Sequence, residues 1–363
     1  MSKRNNRFRL KDDEIEMVKK HRANTLDNLN DNTSLDIHLK ERGIDKKDVV
    51  SVKHWQNMGG ELRFSIVTKD DQGGFDEGGM FERLNTFISK HAPSYPKAKN
   101  NDKGTHLLVI NPADIHIGKY AKSEETGEEY NSEIAVARVI EGVQGLIDKA
   151  KGFEVERVLF CIGNDILHVD SVYNTTTKGT NQDCDGKFWE HFEIALKLYV
   201  KCVEMLREVA PVDCTHSMSN HDYMSGFHLA HALKAWFRLA EDVNVDAGVS
   251  HRKYYTYGAN LIGLEHGDGA KMDNLPMLMA HEQPKQWAET KYRYWYLHHL
   301  HHKVKYKWRD AKDFIGVTVE YLRSPSAADS WHSRKGFTGS PKAVEAFIHS
   351  KTQGQVARLT HFF

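Results

Sequence analysis

Short motifs of histidine, aspartate and asparagine recur through the second part of this 363-residue chain. Imidazole nitrogens and carboxylate oxygens, without a thiolate, are ligands that suit Mn, Fe, Zn, Ni or Co better than soft metals or calcium. About seven such ligands exceed the needs of one ion, so they predict two divalent ions that share a carboxylate. The candidates are Asp114 and His116 in ADIHIG, Asp165 and His168 in GNDILH, Asn220, His221 and Asp222 in SNHD, His266 in EHGD, and the histidines of YLHHLHHKVKY.

The spacing of the first motif allows two of its side chains to face one ion. In an extended segment, residues i and i+2 point to the same side. Asp114 and His116 are therefore expected to face one way, while Ile115 between them turns into the core.

The histidine cluster allows two pairings, depending on its backbone. An extended segment places His299 and His301 on one side and turns His298 and His302 to the other. A helical segment instead makes His298 and His302, at i and i+4, the natural pair. The fold must decide between the two.

The motifs stand where predicted apolar strands end. Sites in open α/β sheets are built there, because a rigid sheet feeds several loops into a common crevice. Alternating strands and helices that give way to a hairpin predict a layered α/β domain with a mixed sheet. The predicted strands are HLLVINPADIH, VERVLFCIGND and VDCTHSMSNHD, the helices EIAVARVIEGVQGLIDKA and KFWEHFEIALKLYVKCVEML, and the hairpin YYTYGANLIGLEHGD, with further β content in FIGVTVEYLRS and AVEAFIHSK.

The first hundred residues have a different pattern. KDDEIEMVKKHR and SLDIHLKERGI are typical of helices, the second ended by Gly43, and ELRFSIVTKDD alternates like a strand. HAPSYPKAKNNDKGT, with two prolines, is typical of a linker. We expect an accessory module with its linker at residues 1–100 and a larger domain at 101–363. The module would bind nucleic acid or a protein partner, or serve as a packing element.

Composition excludes several classes of protein. Lysine plus arginine and aspartate plus glutamate number 50 each, so nucleic-acid binding would need a local basic patch. Four cysteines without a C-x-x-C pair indicate reduced thiols, not a zinc knuckle or a disulfide framework. No run approaches the roughly 18 to 20 apolar residues of a membrane span, and no apolar segment follows the basic N-terminus. We expect a cytoplasmic protein without membrane contact.

The order of the motifs resembles that of the calcineurin-like metallophosphoesterases, over about residues 104 to 350. That pattern is D-x-H, G-D, G-N-H-[DE], a lone histidine after a strand, and G-H-x-H. DIHIG and DILH are most similar to the SbcD-type DNA exonuclease subunits, while NTTTKGTNQD, WYLHHLHHK and DSWHSRKGF are similar to phosphoesterases encoded by bacteriophages. The resemblance implies a layered α/β/β/α sandwich with mixed sheets, and a host-cytoplasmic location if a phage encodes the chain.

The resemblance also implies a ligand set for each of two ions. The ions would be divalent, with Mn²⁺ expected and Mg²⁺, Fe²⁺, Zn²⁺, Ni²⁺ or Co²⁺ as alternatives. Asp165 would bridge them, with Asp114, His116 and His301 completing one set and Asn220, His266 and His299 the other.

Three further residues receive catalytic roles from the resemblance. His221 would be the catalytic histidine, oriented by Asp222. His168 would be a second proton-transfer residue or a hydrogen-bond partner of a ligand. The chain departs from the family's pattern at Asn164, which is extra, at Ser219 and at His298, which both replace glycine; His298 would be free to contact substrate.

The implied activity is hydrolysis of phosphodiester bonds by a metal-activated water. The expected substrate is nucleic acid, which indicates a DNA exo- or endonuclease in replication, repair or recombination. KYRYWYLHHLHHKVKYKWRDAK interleaves basic and aromatic residues, as phosphate contacts and base stacking require, although a packed strand has the same pattern. Lys178 and the segment DSWHSR line the cleft or serve only as loop structure. The alternatives are a phosphodiesterase of small cyclic or signalling nucleotides and a non-catalytic nucleic-acid-binding or scaffold protein.

Overall fold

The computed structural model describes residues 34–56, 62–68, 93–96, 103–299, 311–336 and 339–363. The chain divides into two compact units, Met1–Lys90 and His91–Phe363. The described part of the first unit contains helix α1 (Ser34–Glu41) and two antiparallel strands, β1 (Val49–Gln56) and β2 (Leu62–Thr68). The predicted helix SLDIHLKERGI and the strand in ELRFSIVTKDD are therefore confirmed, whereas KDDEIEMVKKHR lies outside the described residues.

A six-stranded mixed sheet forms the centre of the second unit. Its order is β13-β12-β3-β4-β5-β6, with β3 to β6 parallel and β12 and β13 antiparallel at one edge. Because the parallel strands point the same way, their carboxyl ends open onto one edge of the sheet. The strands are β3 (His106–Ile110), β4 (Val155–Gly163), β5 (Val212–Ser217), β6 (Val243–Asp246), β12 (Ala343–Ser350) and β13 (Gly354–Phe362).

A five-stranded mixed sheet is the second layer. Its order is β10-β11-β9-β8-β7, in which β8, β9 and β11 are parallel and the two edge strands are antiparallel. The predicted hairpin is confirmed by the pairing of β7 with β8. The strands are β7 (Lys253–Tyr257), β8 (Asn260–Leu264), β9 (Tyr292–Leu297), β10 (Ala311–Phe314) and β11 (Val317–Tyr321).

The two long helices form where periodic apolar residues predict them. In α3 (Ser132–Ala150), the Asn131 side chain accepts the N–H of Ile134 at the N-cap, and Ala135, Val139 and Val143 are buried at four-residue intervals. None of the helices in the described ranges is both long and apolar enough to cross a membrane. The helices are α2 (Ser123–Thr126), α3 (Ser132–Ala150), α4 (Phe188–Arg207), α5 (Tyr223–Trp236), α6 (Leu275–Glu282), α7 (Pro284–Glu289) and α8 (Ser330–Arg334).

Alternate side chains of the two sheets fill separate cores. Leu107 on β3 packs with Ile262 on β8, so these sheet faces meet in one apolar cluster. Leu108, on the opposite face of β3, packs in the cluster that contains α3, α4 and α5. Trp295, on the outer face of β9, packs against residues of α6. The second unit is therefore layered as helices, sheet, sheet and helices.

The predicted linker contains an anchored segment. The Tyr95 hydroxyl donates to Glu204 on α4 and accepts the indole N–H of Trp236 on α5, each at 2.9 Å. The Arg207 guanidinium lies over the Tyr95 ring and donates to the carbonyl oxygen of Pro96. Tyr95, within the predicted linker, is therefore packed between two helices, and the division into residues 1–100 and 101–363 stays a prediction.

Candidate metal centre

The predicted site residues lie just after five strands, at the ends where parallel strands of each sheet open. Asp114 and His116 follow β3, Asp165 and His168 follow β4, Asn220, His221 and Asp222 follow β5, His266 follows β8, and His299 follows β9. Both sheets contribute, so the site lies where their edges meet.

Backbone strain is concentrated at these positions. Left-handed φ angles occur at Asp114 (52°), His116 (54°), Asn164 (53°), Asp165 (59°) and His299 (70°). Among the other described residues apart from glycines, only one further residue has a positive φ. Such a conformation costs roughly 1–2 kcal/mol in an L-residue, so it persists only where surrounding contacts enforce it.

The strained backbone corrects the prediction of an extended D-x-H segment. Asp114 and His116 are both left-handed, because their loop is tied to the next one: the Asp114 N–H donates to Asn164 and that of His116 to Asp165. Ile115 is nevertheless fully buried in the core, as expected. The predicted placement of Ile115 in the core is therefore confirmed, but left-handed backbone on either side of it, not strand alternation, produces this placement.

Two sets of ligand atoms share one carboxylate. Asp114, His116 and Asp165 offer ligand atoms within 4.8 Å of one another, and so do Asp165, His266 and His299. The Nε2 atom of His266 lies 3.1 Å from Asp165 Oδ2 and 3.0 Å from Asn220 Oδ1, which brings Asn220 to the second set. The structure thus gathers six of the seven predicted ligands, while His301 lies outside the described residues. Their role as ligands stays a prediction.

A third group of ligand atoms lies beside the first. His116, His168 and His221 offer nitrogen atoms within 4.8 Å of one another. The rings of His168 and His221 stack at 5.4 Å and 19°, and the Nδ1 atoms of His168 and His116 are 3.4 Å apart. Both predicted catalytic histidines therefore contact the first ligand set.

The buried charges perturb one another. Burial, together with the charge of Asp165, raises the pKa of Asp114 to about 7. Burial also opposes ionisation of Asp165, but the charges of His266 and His221 hold its pKa well below the usual range. Burial lowers the pKa of His266, whereas the carboxylates of Asp165 and Asp114 raise it. The net result is a rise to about 9. Two buried carboxylates among imidazoles are costly without a cation.

The donor set fits a pair of divalent cations. Asp114, Asp165 and His266 are fully buried, and His116 is 1% exposed. Within the described ranges, His266 Nδ1 has no hydrogen-bond partner. Carboxylate and imidazole donors with one amide oxygen suit a first-row divalent cation such as Mn²⁺ or Zn²⁺. A cation at each ligand set would offset the charge that raises the Asp114 pKa.

The contacts of Asp222 differ from those predicted. Its carboxylate accepts the Ser219 hydroxyl at 2.5 Å and the Leu167 N–H at 3.0 Å. The ring of His221 instead donates its Nδ1–H to the carbonyl oxygen of His168 at 2.9 Å. The predicted orientation of His221 by Asp222 is therefore corrected, since Asp222 secures the loop that carries Asp165.

Ser219 is a positioning residue that the sequence did not reveal. Its hydroxyl accepts the Asp165 N–H at 2.8 Å while donating to Asp222. On the other side of the site, the Ser324 hydroxyl donates to the Asp114 carbonyl oxygen at 2.8 Å. Both serines fix the backbone of a predicted ligand. A serine where the family has glycine was the one available signal for Ser219.

The loop after His168 is fastened to the helix after His221. Asp170 accepts the N–H groups of Met224 and Ser225 in the first turn of α5, and the hydroxyls of Ser225 and Thr177. This carboxylate replaces an N-cap side chain for α5. The segments that carry His168 and His221, the two predicted catalytic histidines, are thus joined by the hydrogen bonds of Asp170.

His298, which stands where the resemblance predicts glycine, is buried. It is 1% exposed, burial holds its pKa well below the usual range, and its ring nitrogens have no hydrogen-bond partner in the described part of the chain. The close backbone approach is provided by Gly267, where an added Cβ would lie 2.9 Å from the His298 carbonyl oxygen. The ring of His298 is therefore not exposed for contact with substrate, and its role stays open.

The structure describes only part of the histidine cluster and of the other predicted substrate contacts. Strand β9 ends at Leu297 and His299 is left-handed, so neither the extended nor the helical alternative describes residues 298 and 299. Trp295 and Tyr296 are fully buried, so this part of the aromatic run is a packed strand. Lys178 is exposed in a turn, while residues 300–310, including His302, lie outside the described residues.

Comparisons with known proteins do not assign this chain to a family. No model of a protein family and no curated protein matches the chain. Among solved structures, a single mutant of Vps29 from Entamoeba histolytica is similar at 12% identity and a TM-score of 0.29, covering 70% of this chain and 99% of that one. A double mutant of the same protein gives 11% identity and 0.27, covering 71% and 99%. At these TM-scores the likeness carries no weight for fold or function.

Proposed function

We propose that this chain is a binuclear metal-dependent phosphodiesterase with a calcineurin-like metallophosphoesterase fold, acting on nucleic acid as a DNA exo- or endonuclease. The observation that carries the proposal is the position of Asp165, whose carboxylate belongs to two ligand sets at once. Two ions that share a carboxylate characterise sites for in-line displacement at phosphorus. The chemistry that such a pair supplies is activation of water near neutral pH and neutralisation of phosphate charge.

His221 is the residue placed to move a proton. Its backbone N–H donates to Asp165 at 2.9 Å, and its ring Nδ1–H donates to the His168 carbonyl oxygen. Because Nδ1 is engaged, Nε2 is the atom that protonates the leaving alkoxide of a diester. The His221 and His116 rings lie 4.7 Å apart, which keeps this proton beside the first ligand set.

His168 has a positioning role in this proposal. Its ring is 2% exposed, and burial with the nearby charges of Lys119 and His221 holds its pKa well below the usual range. A ring held neutral is a weaker general acid than an imidazolium. Its contacts with His116 and His221 instead support the orientation of both rings.

Nucleic acid is the proposed substrate class because of the residues that follow His299. The sequence from residue 303 to 310, KVKYKWRD, alternates cations with aromatic rings, which suits phosphate contacts and base stacking. The chain has no net charge, so it lacks the overall basic charge that would attract nucleic acid. The proposal therefore includes recruitment by the residue 1–100 module, through nucleic acid or a protein partner.

A substrate panel with Mn²⁺ tests the proposal. The purified chain is offered single-stranded DNA, duplex DNA, RNA, cyclic nucleotides and bis(p-nitrophenyl) phosphate. We expect cleavage of DNA and of the aryl diester. Cleavage of only the small diesters would favour the signalling-nucleotide alternative, and no hydrolysis with retained DNA binding would favour a scaffold.

Asp165→Asn serves as the matched loss-of-function variant. The change keeps the side-chain shape but removes the charge shared by both ligand sets, so we expect kcat/KM to fall by about a hundredfold or more. The control is Asp148→Asn, an exposed aspartate on α3 that pairs only with Lys151 among the described ion pairs. Equal activity of the two variants would contradict the catalytic role of the site.

A further inference from the structure

Lys119 is a buried cation to which the proposed mechanism gives no role. It follows His116 by three residues and is 1% exposed. Its ammonium group donates to the Ser326 hydroxyl at 3.2 Å and to the Ala327 carbonyl oxygen at 2.7 Å, and lies 3.3 Å from Asp329 Oδ2. A buried lysine is costly and is kept only when its partners are well placed. The question is what this arrangement positions.

The Asp329 carboxylate connects Lys119 to an imidazole. One oxygen faces the ammonium group, and the other accepts the His332 N–H at 2.9 Å and lies 2.7 Å from His332 Nδ1. Burial raises the pKa of Asp329, but His332 and Lys119 together hold it well below the usual range. The carboxylate is therefore ionised and fixes the orientation of the His332 ring.

The segment that carries this pair is attached to the metal centre. The Ser324 hydroxyl donates to the Asp114 carbonyl oxygen and accepts the Ser326 N–H at 2.9 Å. The Lys119 N–H donates to the His116 carbonyl oxygen at 3.0 Å. The segments that carry Lys119 and Asp329 are thus each hydrogen-bonded to the backbone of a predicted ligand of the first ion.

The outer side of the same segment is braced against α2. The hydroxyls of Ser330 and Ser333 donate to the side chain and the carbonyl oxygen of Glu125. Between these contacts, Trp331 is 51% exposed, and its ring meets that of His332 edge to face at 5.0 Å. A large aromatic surface is therefore presented to solvent from a rigid turn, next to an oriented imidazole.

We propose that α8 forms a nucleoside subsite beside the metal centre, in which Trp331 stacks on a base and His332 contacts an adjoining phosphate. Lys119 and Asp329 are positioning residues for His332. Aromatic stacking suits every base, and an imidazole nitrogen can contact a phosphate oxygen. The inference rests on the proposed function and adds to it the place where one nucleoside of the nucleic-acid substrate is bound.

Equilibrium binding tests the subsite without requiring activity. The probe is thymidine 3′,5′-bisphosphate, measured by calorimetry with the full chain. We expect Trp331→Ala to weaken binding about tenfold, His332→Ala to weaken it by a similar factor, and Trp331→Phe to retain most of it, because a phenyl ring still stacks. Trp189→Ala, which removes a tryptophan that is 58% exposed on α4, is the matched control and should bind as the wild type does.

Two outcomes of the binding experiment would overturn the subsite. One is a wild-type chain that does not bind the bisphosphate, and the other is a Trp331→Ala chain that binds it as tightly as Trp189→Ala does. Because Trp331 lies at the surface, its replacement should leave the thermal unfolding midpoint within about 2 °C of the wild-type value.

Kinetics separate this inference from the proposed function. Thymidine 5′-p-nitrophenyl phosphate and methyl p-nitrophenyl phosphate share a leaving group and differ only in the nucleoside. We expect Trp331→Ala to lower the ratio of kcat/KM for the two substrates about tenfold, chiefly through KM for the nucleotide. An unchanged ratio contradicts the subsite. A wild-type chain that hydrolyses neither substrate contradicts the proposed function, while the binding measurement still decides the subsite.

Discussion

Asp165 is the residue on which the site depends. One carboxylate oxygen accepts the His221 N–H and the other lies against His266. Its left-handed backbone is held by the Ser219 hydroxyl, which accepts the Asp165 N–H. A strained and fully buried carboxylate of this kind is expected at a functional site rather than in a purely structural loop.

Ser219→Ala tests the support of Asp165. The variant removes the acceptor of the Asp165 N–H and the donor to Asp222, both buried. We expect metal affinity to fall about tenfold and the unfolding midpoint to fall by about 2–4 °C, because about 1 kcal/mol of hydrogen bonding is lost. Calorimetric metal titration and thermal unfolding measure the two effects. An unchanged metal affinity would show that Ser219 does not position Asp165.

Metal affinity should depend on pH through two ligands. Without metal, Asp114 has a pKa of about 7 and His266 of about 9. Both groups are protonated below these values and must lose the proton to bind a cation, so affinity should rise from pH 6 to pH 9. Each proton released gives at most about a tenfold gain per pH unit. Competition against a chelating dye at four pH values measures the slope, and a flat profile would contradict these ligand assignments.

Residue types predicted the composition of the site better than its geometry. The spacing of Asp114 and His116 indicated that both face one ion, and their ligand atoms do lie together. The assumed extended backbone was wrong, because hydrogen bonds between two loops produce left-handed conformations that spacing does not reveal. The contacts of Asp222 were also unpredictable, since they join loops that are distant in sequence.

At the scale of elements, the ends of parallel strands bring the motifs together. β4 and β5 are neighbours, and Gly163 at the end of β4 lies close to the Ser217 carbonyl oxygen at the end of β5. An added Cβ at Gly163 would collide with that oxygen, so the close approach requires glycine. The two long helices and the central strands β3, β4 and β5 were predictable from apolar periodicity. Strands β1, β6, β10 and β13 and helices α5, α6 and α7 were not predicted, because their sequences lack so regular a pattern.

Gly163→Ala tests the close approach of β4 and β5. Gly163 has a φ of 83°, and an added Cβ would collide with Ser217. Gly179→Ala is the matched control, because its φ is 85° and no atom lies within 4 Å of an added Cβ. We expect Gly163→Ala to lower the unfolding free energy by about 1–3 kcal/mol more than Gly179→Ala does. Chemical denaturation measures the difference, and equal losses would mean that crowding at Gly163 is unimportant.

At the scale of the whole molecule, two mixed sheets and their covering helices provide a rigid support for one composite site. The first sheet contributes Asp114 and Asp165, and the second contributes His266 and His299. The layered α/β architecture was predictable from the succession of elements. The order of the strands was not, since it depends on pairings between distant parts of the chain.

Counting bound metal tests the central claim most directly. The wild-type chain is saturated with Mn²⁺, freed of excess ion and analysed for metal per chain, alongside Asp165→Asn and the control Asp148→Asn. We expect about two ions in the wild type and the control, and fewer than one in Asp165→Asn, because its carboxylate belongs to both ligand sets. Two ions retained by Asp165→Asn, or none bound by the wild type, would contradict a binuclear centre at this position.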